Sequence, residues 1–194
     1  MPSDIDPHSG FRLPLPRRED LDEAGKRAYD RANTPGKTLV GLRGRAGIRL
    51  YSSKTVEAHD TINQYLRFQA GFDPKLREIA ILTVAREMDS QFEWAAHEPE
   101  ALKGGVPAEI IDIIKRRKST EDLSETEAAV IEFGRQLFRD HKVTSKTFAR
   151  MRALLEPGKL VNLVLLMGNY ASTAALLAAF DMQVPDGKPL LPAP

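Results

Sequence analysis

Glu93 and His97 are four residues apart in the run Glu-Trp-Ala-Ala-His, which puts a carboxylate and an imidazole on one face of a helix. A carboxylate placed there orients the ring, and the pair is the basic equipment of a general acid–base. Ser90, three residues before Glu93, shares that face, and Trp94, Ala95 and Ala96 surround the pair with apolar surface. Glu78 lies on the preceding helix, where an antiparallel return brings it alongside. The candidate catalytic residues are therefore His97, Glu93 and Glu78, with Ser90 and Trp94 as substrate contacts. Spacing alone fits an ordinary solvated i,i+4 contact equally well. One class of chemistry is closed: the chain has no cysteine, so thiolate nucleophiles, disulfides, cysteine-ligated zinc and iron–sulfur clusters are excluded.

Elements that can position such a pair follow one another closely. Four prolines between Pro2 and Pro16 make residues 1–18 an extended arm rather than a core element. Glu19 to Ala32 reads as a short helix, and Thr34 to Gly47 as a basic, glycine-rich loop. Ser52-Ser53 caps a helix to about Ala70, and Asp73-Pro74 opens the next one with a cap residue and a first-turn proline. Asp89 or Ser90 caps the helix that carries Glu93 and His97. Pro107 starts a helix closed by Lys115-Arg116-Arg117-Lys118, four charges that suit a helix C-terminus. Ser124 to Glu127 is a capping-box pattern, Thr144 begins a further helix, and Pro157 begins the most apolar one, to about Met182. No alternating β-branched run survives, so the chain is expected to be all-α. One helical domain spans 19–187, and residues 188–194 form a tail.

Lys plus Arg number 28 against 27 Asp plus Glu, a net charge of +1, so no strong field points to nucleic acid or an anionic membrane. No stretch reaches the roughly 18 unbroken apolar residues of a membrane span, and residues 1–10 lack the apolar region of a secretory signal; a cytoplasmic location is the expectation. The loop Gly41 to Gly47 lacks the Lys-Ser/Thr ending of a phosphate loop. Arg43 or Arg45 within it is placed to meet a substrate carboxylate at the site mouth, or simply to be solvated. His59 reads as a surface histidine. Tyr170, beside Asn169 in the apolar helix, either lines a pocket or packs in the core. No Glu-x-x-His repeat of the di-iron bundles occurs and only one histidine is well placed, so no metal and no cofactor are expected.

The segment from Leu76-Arg77-Glu78 through Glu93-Trp94-Ala95-Ala96-His97 to Pro107-Ala108-Glu109-Ile110-Ile111 resembles the carboxymuconolactone decarboxylase superfamily, which includes the alkylhydroperoxidase D proteins. Similar features extend over about residues 40–187 and are densest at 76–114. The resemblance implies a compact multi-helix bundle of the alkylhydroperoxidase D type, assembled as a trimer or hexamer. The peroxidase branch has Cys-x-x-Cys-x-x-x-His after a glutamate; here Ser90 and Glu93 occupy the cysteine positions and Glu78 the glutamate position. Neither can form a sulfenic acid or a disulfide, so thiol peroxidase activity is not implied. The decarboxylase branch also works without a cysteine pair and has glutamate four residues before the histidine. What it implies is a cofactor-independent lyase, decarboxylase or isomerase of a small carboxylic acid or lactone, with His97 moving the proton and Glu93 holding the ring; Arg43 and Tyr170, read from their own positions, join Ser90 and Trp94 as expected substrate contacts. The alternative is a family member that keeps the helical scaffold for oligomerisation or small-molecule binding.

Overall fold

Every residue from Glu78 to Glu87 is buried, so the helix that carries them has no solvent face. A helix enclosed on all sides is stable only when neighbours surround it, and the rest of the chain does this. The computed structural model describes residues 2–192. In chain order it contains α1 (Glu23–Asn33), α2 (Arg45–Arg49), α3 (Ser53–Phe68), α4 (Pro74–Glu87), α5 (Gln91–Lys103), α6 (Ala108–Lys115), α7 (Glu125–Phe138), α8 (Ser145–Leu154) and α9 (Pro157–Ala179). Helix α4 is the axis, packed by α5, α6, α7 and α9. Among the described residues there is no strand, and the fold is all-α.

Local chemistry sets the helix starts. Asp73 caps α4 by accepting from the Lys75 N–H at 2.9 Å, with Pro74 in the first turn. Ser124 and Glu127 form the reciprocal capping box of α7. Helix α1 begins later than Glu19, because Asp22 accepts from Gly25 N–H and becomes its cap. Ser52 makes no capping bond to α3. The cationic run after α6 does more than complement a helix dipole. Arg117 turns left-handed at φ 52°, and its Nε donates to Glu87 at 3.0 Å. Arg135 of α7 approaches the same carboxylate at 3.9 Å. A buried carboxylate at the end of α4 thereby gains two cations.

The chain ends contribute to the core. Residues 2–16 are irregular, yet Phe11 is fully buried with Ile48, Phe92, Leu177 and Met182. Backbone bonds from Arg12 to Phe180 (3.0 Å) and from Gln183 to Gly10 (2.9 Å) fasten this arm to the end of α9. At the other end, Gln91 exchanges hydrogen bonds with the Leu191 backbone at 2.8 and 3.2 Å. Helix α9 stops at Ala179, short of Met182, where Asp181 takes a left-handed turn at φ 47°. By length and composition α9 is apolar enough to cross a membrane. One stripe of it, including Leu163, Leu166, Met167 and Tyr170, is buried, whereas Val161, Val164 and Leu165 are exposed.

Helices α4 and α7 cross at Gly134, where an added Cβ would sit 2.6 Å from Thr83 Cγ2 and 3.3 Å from Met167 Cε. Neither neighbour has room to retreat in a filled core. Gly134→Ala is therefore expected to destabilise the protein by about 1–3 kcal/mol despite alanine's better helix propensity. Urea unfolding checks this, and a variant as stable as wild type would show that the crossing is looser than described.

Candidate active site

Helices α4 and α5 return antiparallel, and the return brings Glu78 to His97. The turn between them is closed by Ser90 N–H donating to Ala85 O at 2.8 Å, with Asp89 in left-handed backbone at φ 47°. His97 Nδ1 lies 2.9 Å from Glu78 Oε2. Both side chains are inside the protein, with residue exposures of 4% and 1%. The other oxygen of Glu78 accepts from Arg77 Nε at 3.1 Å and lies 3.7 Å from Arg67 Nη2. Arg77 also donates to the Arg67 carbonyl at 2.8 Å, tying α4 to the end of α3. Burial alone pushes the Glu78 carboxyl up, but the His97 hydrogen bond and the charges of His97, Arg67 and Arg77 outweigh it. The net direction is below the ordinary carboxylate value.

Glu93 has the opposite environment. Its Oε2 is 3.9 Å from His97 Nε2, too far for a hydrogen bond, and that oxygen is buried with no hydrogen-bond partner. Desolvation dominates and pushes the Glu93 carboxyl above its ordinary value of 4.5, against the pull of His97, Arg45, Arg49 and Arg67. The structure thus exchanges the roles that spacing suggested. Glu78 holds the ring, and Glu93 faces the ring's other nitrogen as a carboxyl pushed towards its protonated form. With Glu78 accepting the Nδ1 hydrogen, Nε2 is the nitrogen left for chemistry.

The pair opens onto a cavity of about 1510 Å³. Its walls include Glu78, Glu93 and His97, Arg45 and Arg49 of α2, Arg67 of α3, Arg77 of α4 and Tyr170 of α9. The Tyr170 ring meets His97 edge-on, with centroids 5.0 Å apart and planes at 87°. Burial raises the Tyr170 phenol, which remains protonated at neutral pH. Tyr170 is both a core residue and a cavity wall.

Three sequence-expected substrate contacts lie elsewhere. Ser90 is the N-cap position of α5 and does not line the cavity. Trp94 is fully buried on another side of α5, where its indole N–H donates to Glu98 and Lys115 sits 5.6 Å from its ring. Arg43 is exposed and donates to the Pro7 carbonyl at 3.1 Å, bracing the N-terminal arm. His59 is not a free surface residue: the Arg49 guanidinium lies 2.8 and 2.9 Å from its ring nitrogens. Burial and the Arg49 and Arg45 charges lower its pKa to about 4. Sequence reasoning missed Arg49, Arg67 and Arg77. Among the described residues no group of three or more His, Asp or Glu side chains is arranged to hold a metal ion.

The site is a buried carboxylate–imidazole–carboxyl series in an all-α bundle without cysteine, which is equipment for moving protons and has no thiol. Residues 54–133 match the model of the carboxymuconolactone decarboxylase family, and that segment, like the rest of the chain, contains no cysteine. The segment contains Glu78, Glu93 and His97 but neither α2 nor Tyr170. No curated protein matches the chain.

Two substitutions separate the carboxylates. Glu78→Ala leaves Arg67, Arg77 and His97 facing an empty buried position and should cost about 3–5 kcal/mol, read by chemical denaturation. Glu93 is held protonated to higher pH in the folded chain than in the unfolded one, so its contribution is complete below about 4.5 and is lost as pH rises through the folded value. Glu93→Gln removes that loss. Its melting temperature should match wild type near pH 4 and exceed it at pH 8. A variant less stable than wild type only at pH 8 would mean that ionised Glu93 supports the fold.

Proposed function

We propose that this protein is a cofactor-independent lyase, decarboxylase or isomerase of a small carboxylic acid or lactone, working by proton transfer at His97 and Glu93. The observation that carries this reading is the pair of carboxyl groups driven in opposite directions on the two sides of one imidazole. Carboxyls pushed in opposite directions about one imidazole give an anchored ring on one side and a proton donor on the other. Glu78 stays ionised and fixes the ring. His97 Nε2 takes or returns the proton of the substrate, and Glu93 supplies one to the carbanion or dienolate that forms when a proton or carbon dioxide leaves. In decarboxylation the C–C bond breaks towards the substrate, carbon dioxide departs and the delivered proton closes the balance. In isomerisation the proton removed at one atom is matched by one delivered at another. The burial of Glu78, Glu93 and His97 strengthens the interactions among them.

The homo-oligomer implied by the resemblance belongs to the same proposal. Ile62, Tyr65 and Phe68 of α3 and Val161, Val164 and Leu165 of α9 are exposed apolar side chains. Ile62, Tyr65, Phe68 and Leu165 also border the cavity, so a second copy seated there would narrow its mouth. Light scattering at micromolar concentration should give a multiple of the 21.6 kDa chain; a monomer would contradict this part.

For the reaction, unsaturated lactone acids and related carboxylates are to be offered while absorbance and carbon dioxide release are followed. His97→Gln should lower turnover by about 10²- to 10⁴-fold with the fold intact. Glu93→Gln should lower it and remove the alkaline limb of the pH–rate profile. A His97→Gln variant with near wild-type turnover would contradict the assignment of His97.

A further inference from the structure

The α2 turn carries two guanidinium groups that form no carboxylate ion pair among the described residues, although the charges of Asp60 and Glu93 are felt at Arg49. Arg45 and Arg49 are four residues apart on one helical face, and both line the cavity. Among the described residues the Arg45 side chain has neither a hydrogen-bond nor an ion-pair partner, whereas the neighbouring cavity arginines Arg67 and Arg77 share Glu78. Arg49 rests against His59 and donates to Thr173 Oγ1 at 3.3 Å, both uncharged partners. Burial and the Arg45 charge lower the Arg49 pKa to about 10, against the opposing charges of Asp60 and Glu93. A half-buried guanidinium on a cavity wall without a hydrogen-bond or ion-pair partner gains from an anion held in the cavity. A planar guanidinium is suited to receive a carboxylate through two parallel hydrogen bonds.

The placement of this pair is built in. An added Cβ at Gly47 would collide with the Leu42 carbonyl oxygen, so glycine there lets α2 fold back against the preceding loop. Without that close approach Arg45 and Arg49 would not reach the cavity.

We propose that Arg45 and Arg49 form the anion subsite of the cavity, receiving one carboxylate of a small organic acid whose reacting end then lies at Glu93 and His97. This rests on the proposed reaction for the identity of the reacting end, but the anion subsite stands or falls by itself. It lies outside the segment matched to the family, residues 54–133. The selecting charge is therefore supplied by the N-terminal portion of this chain.

The test is equilibrium binding, independent of turnover. Acetate, succinate, adipate and benzoate are titrated into the full-length protein by calorimetry, at ionic strength held constant with chloride. At least one should bind saturably, and Arg45→Met should weaken it about tenfold or more. Arg45→Lys should keep part of the affinity, and Arg43→Met, altering the exposed arginine outside the cavity, should leave it unchanged. Arg49→Met repeats the test at the second position, with circular dichroism confirming the fold. No saturable binding by any of the four acids, or equal binding by wild type and Arg45→Met, would overturn the subsite. If binding depends on Arg45 while no acid is turned over, the proposed reaction fails and the subsite remains. If turnover depends on His97 while Arg45→Met leaves KM unchanged, the reaction stands and the subsite fails.

Discussion

The hydrogen bond between Glu78 and His97 is the constraint around which this molecule is arranged. A carboxylate in the middle of an enclosed helix is unfavourable unless its oxygens find charged or hydrogen-bonded partners. His97 satisfies one oxygen, and Arg77 with Arg67 satisfies the other. Those partners come from α3, α4 and α5, so the requirement of one side chain holds three helices in register. The turn between α4 and α5 has to be tight enough for the return to bring His97 level with Glu78, and Asp89 takes left-handed backbone to allow it. At the other end of α4, Glu87 repeats the arrangement with Arg117 and Arg135, away from the cavity.

The site's chemical character comes from asymmetry about the imidazole. On the Nδ1 side there is a paired carboxylate; on the Nε2 side a carboxyl whose buried Oε2 has no hydrogen-bond partner. The same residue type takes both positions, and only the surroundings differ. Helix α9 adds the Tyr170 ring edge-on, which limits where His97 can turn. The matched segment contains Glu78, Glu93 and His97, while α1, α2 and α9, outside it, contribute further parts of the cavity wall. Reaction type and substrate choice can then vary separately on one fold.

Much of this was legible in the residues, and the failures have physical causes. Asp73-Pro74 and the Ser124–Glu127 box marked helix starts because capping is local chemistry. The Glu78, Glu93 and His97 grouping followed from helical spacing and an antiparallel return. Spacing does not say which carboxylate touches the ring, since the i,i+4 neighbour shares a face without being aimed at it. Hence spacing points to Glu93 as the orienting group, whereas the hydrogen bond to the ring comes from Glu78. Trp94 follows Glu93 by one residue, about 100° around the helix, which turns it away from the cavity. Ser90 sits at the cap, where the chain has left the helix. Arg45 and Arg49 lie on a five-residue helix too short to show a period, made possible by the glycines that suggested only a loop. Arg67 reaches Glu78 through tertiary packing, for which the sequence carries no local signal. Phe11, in a proline-rich arm, is buried for the same reason.

The central claim is that the carboxyl groups of Glu78 and Glu93 are shifted in opposite directions on the two sides of His97. Carbon-13 NMR of the glutamate side-chain carboxyl groups, titrated against pH and assigned with Glu78→Gln and Glu93→Gln, reads this directly. The account predicts that Glu78 titrates below the ordinary value of 4.5 and Glu93 above it. Two glutamates titrating together near that value, or Glu78 as the one that keeps its proton, would contradict the account.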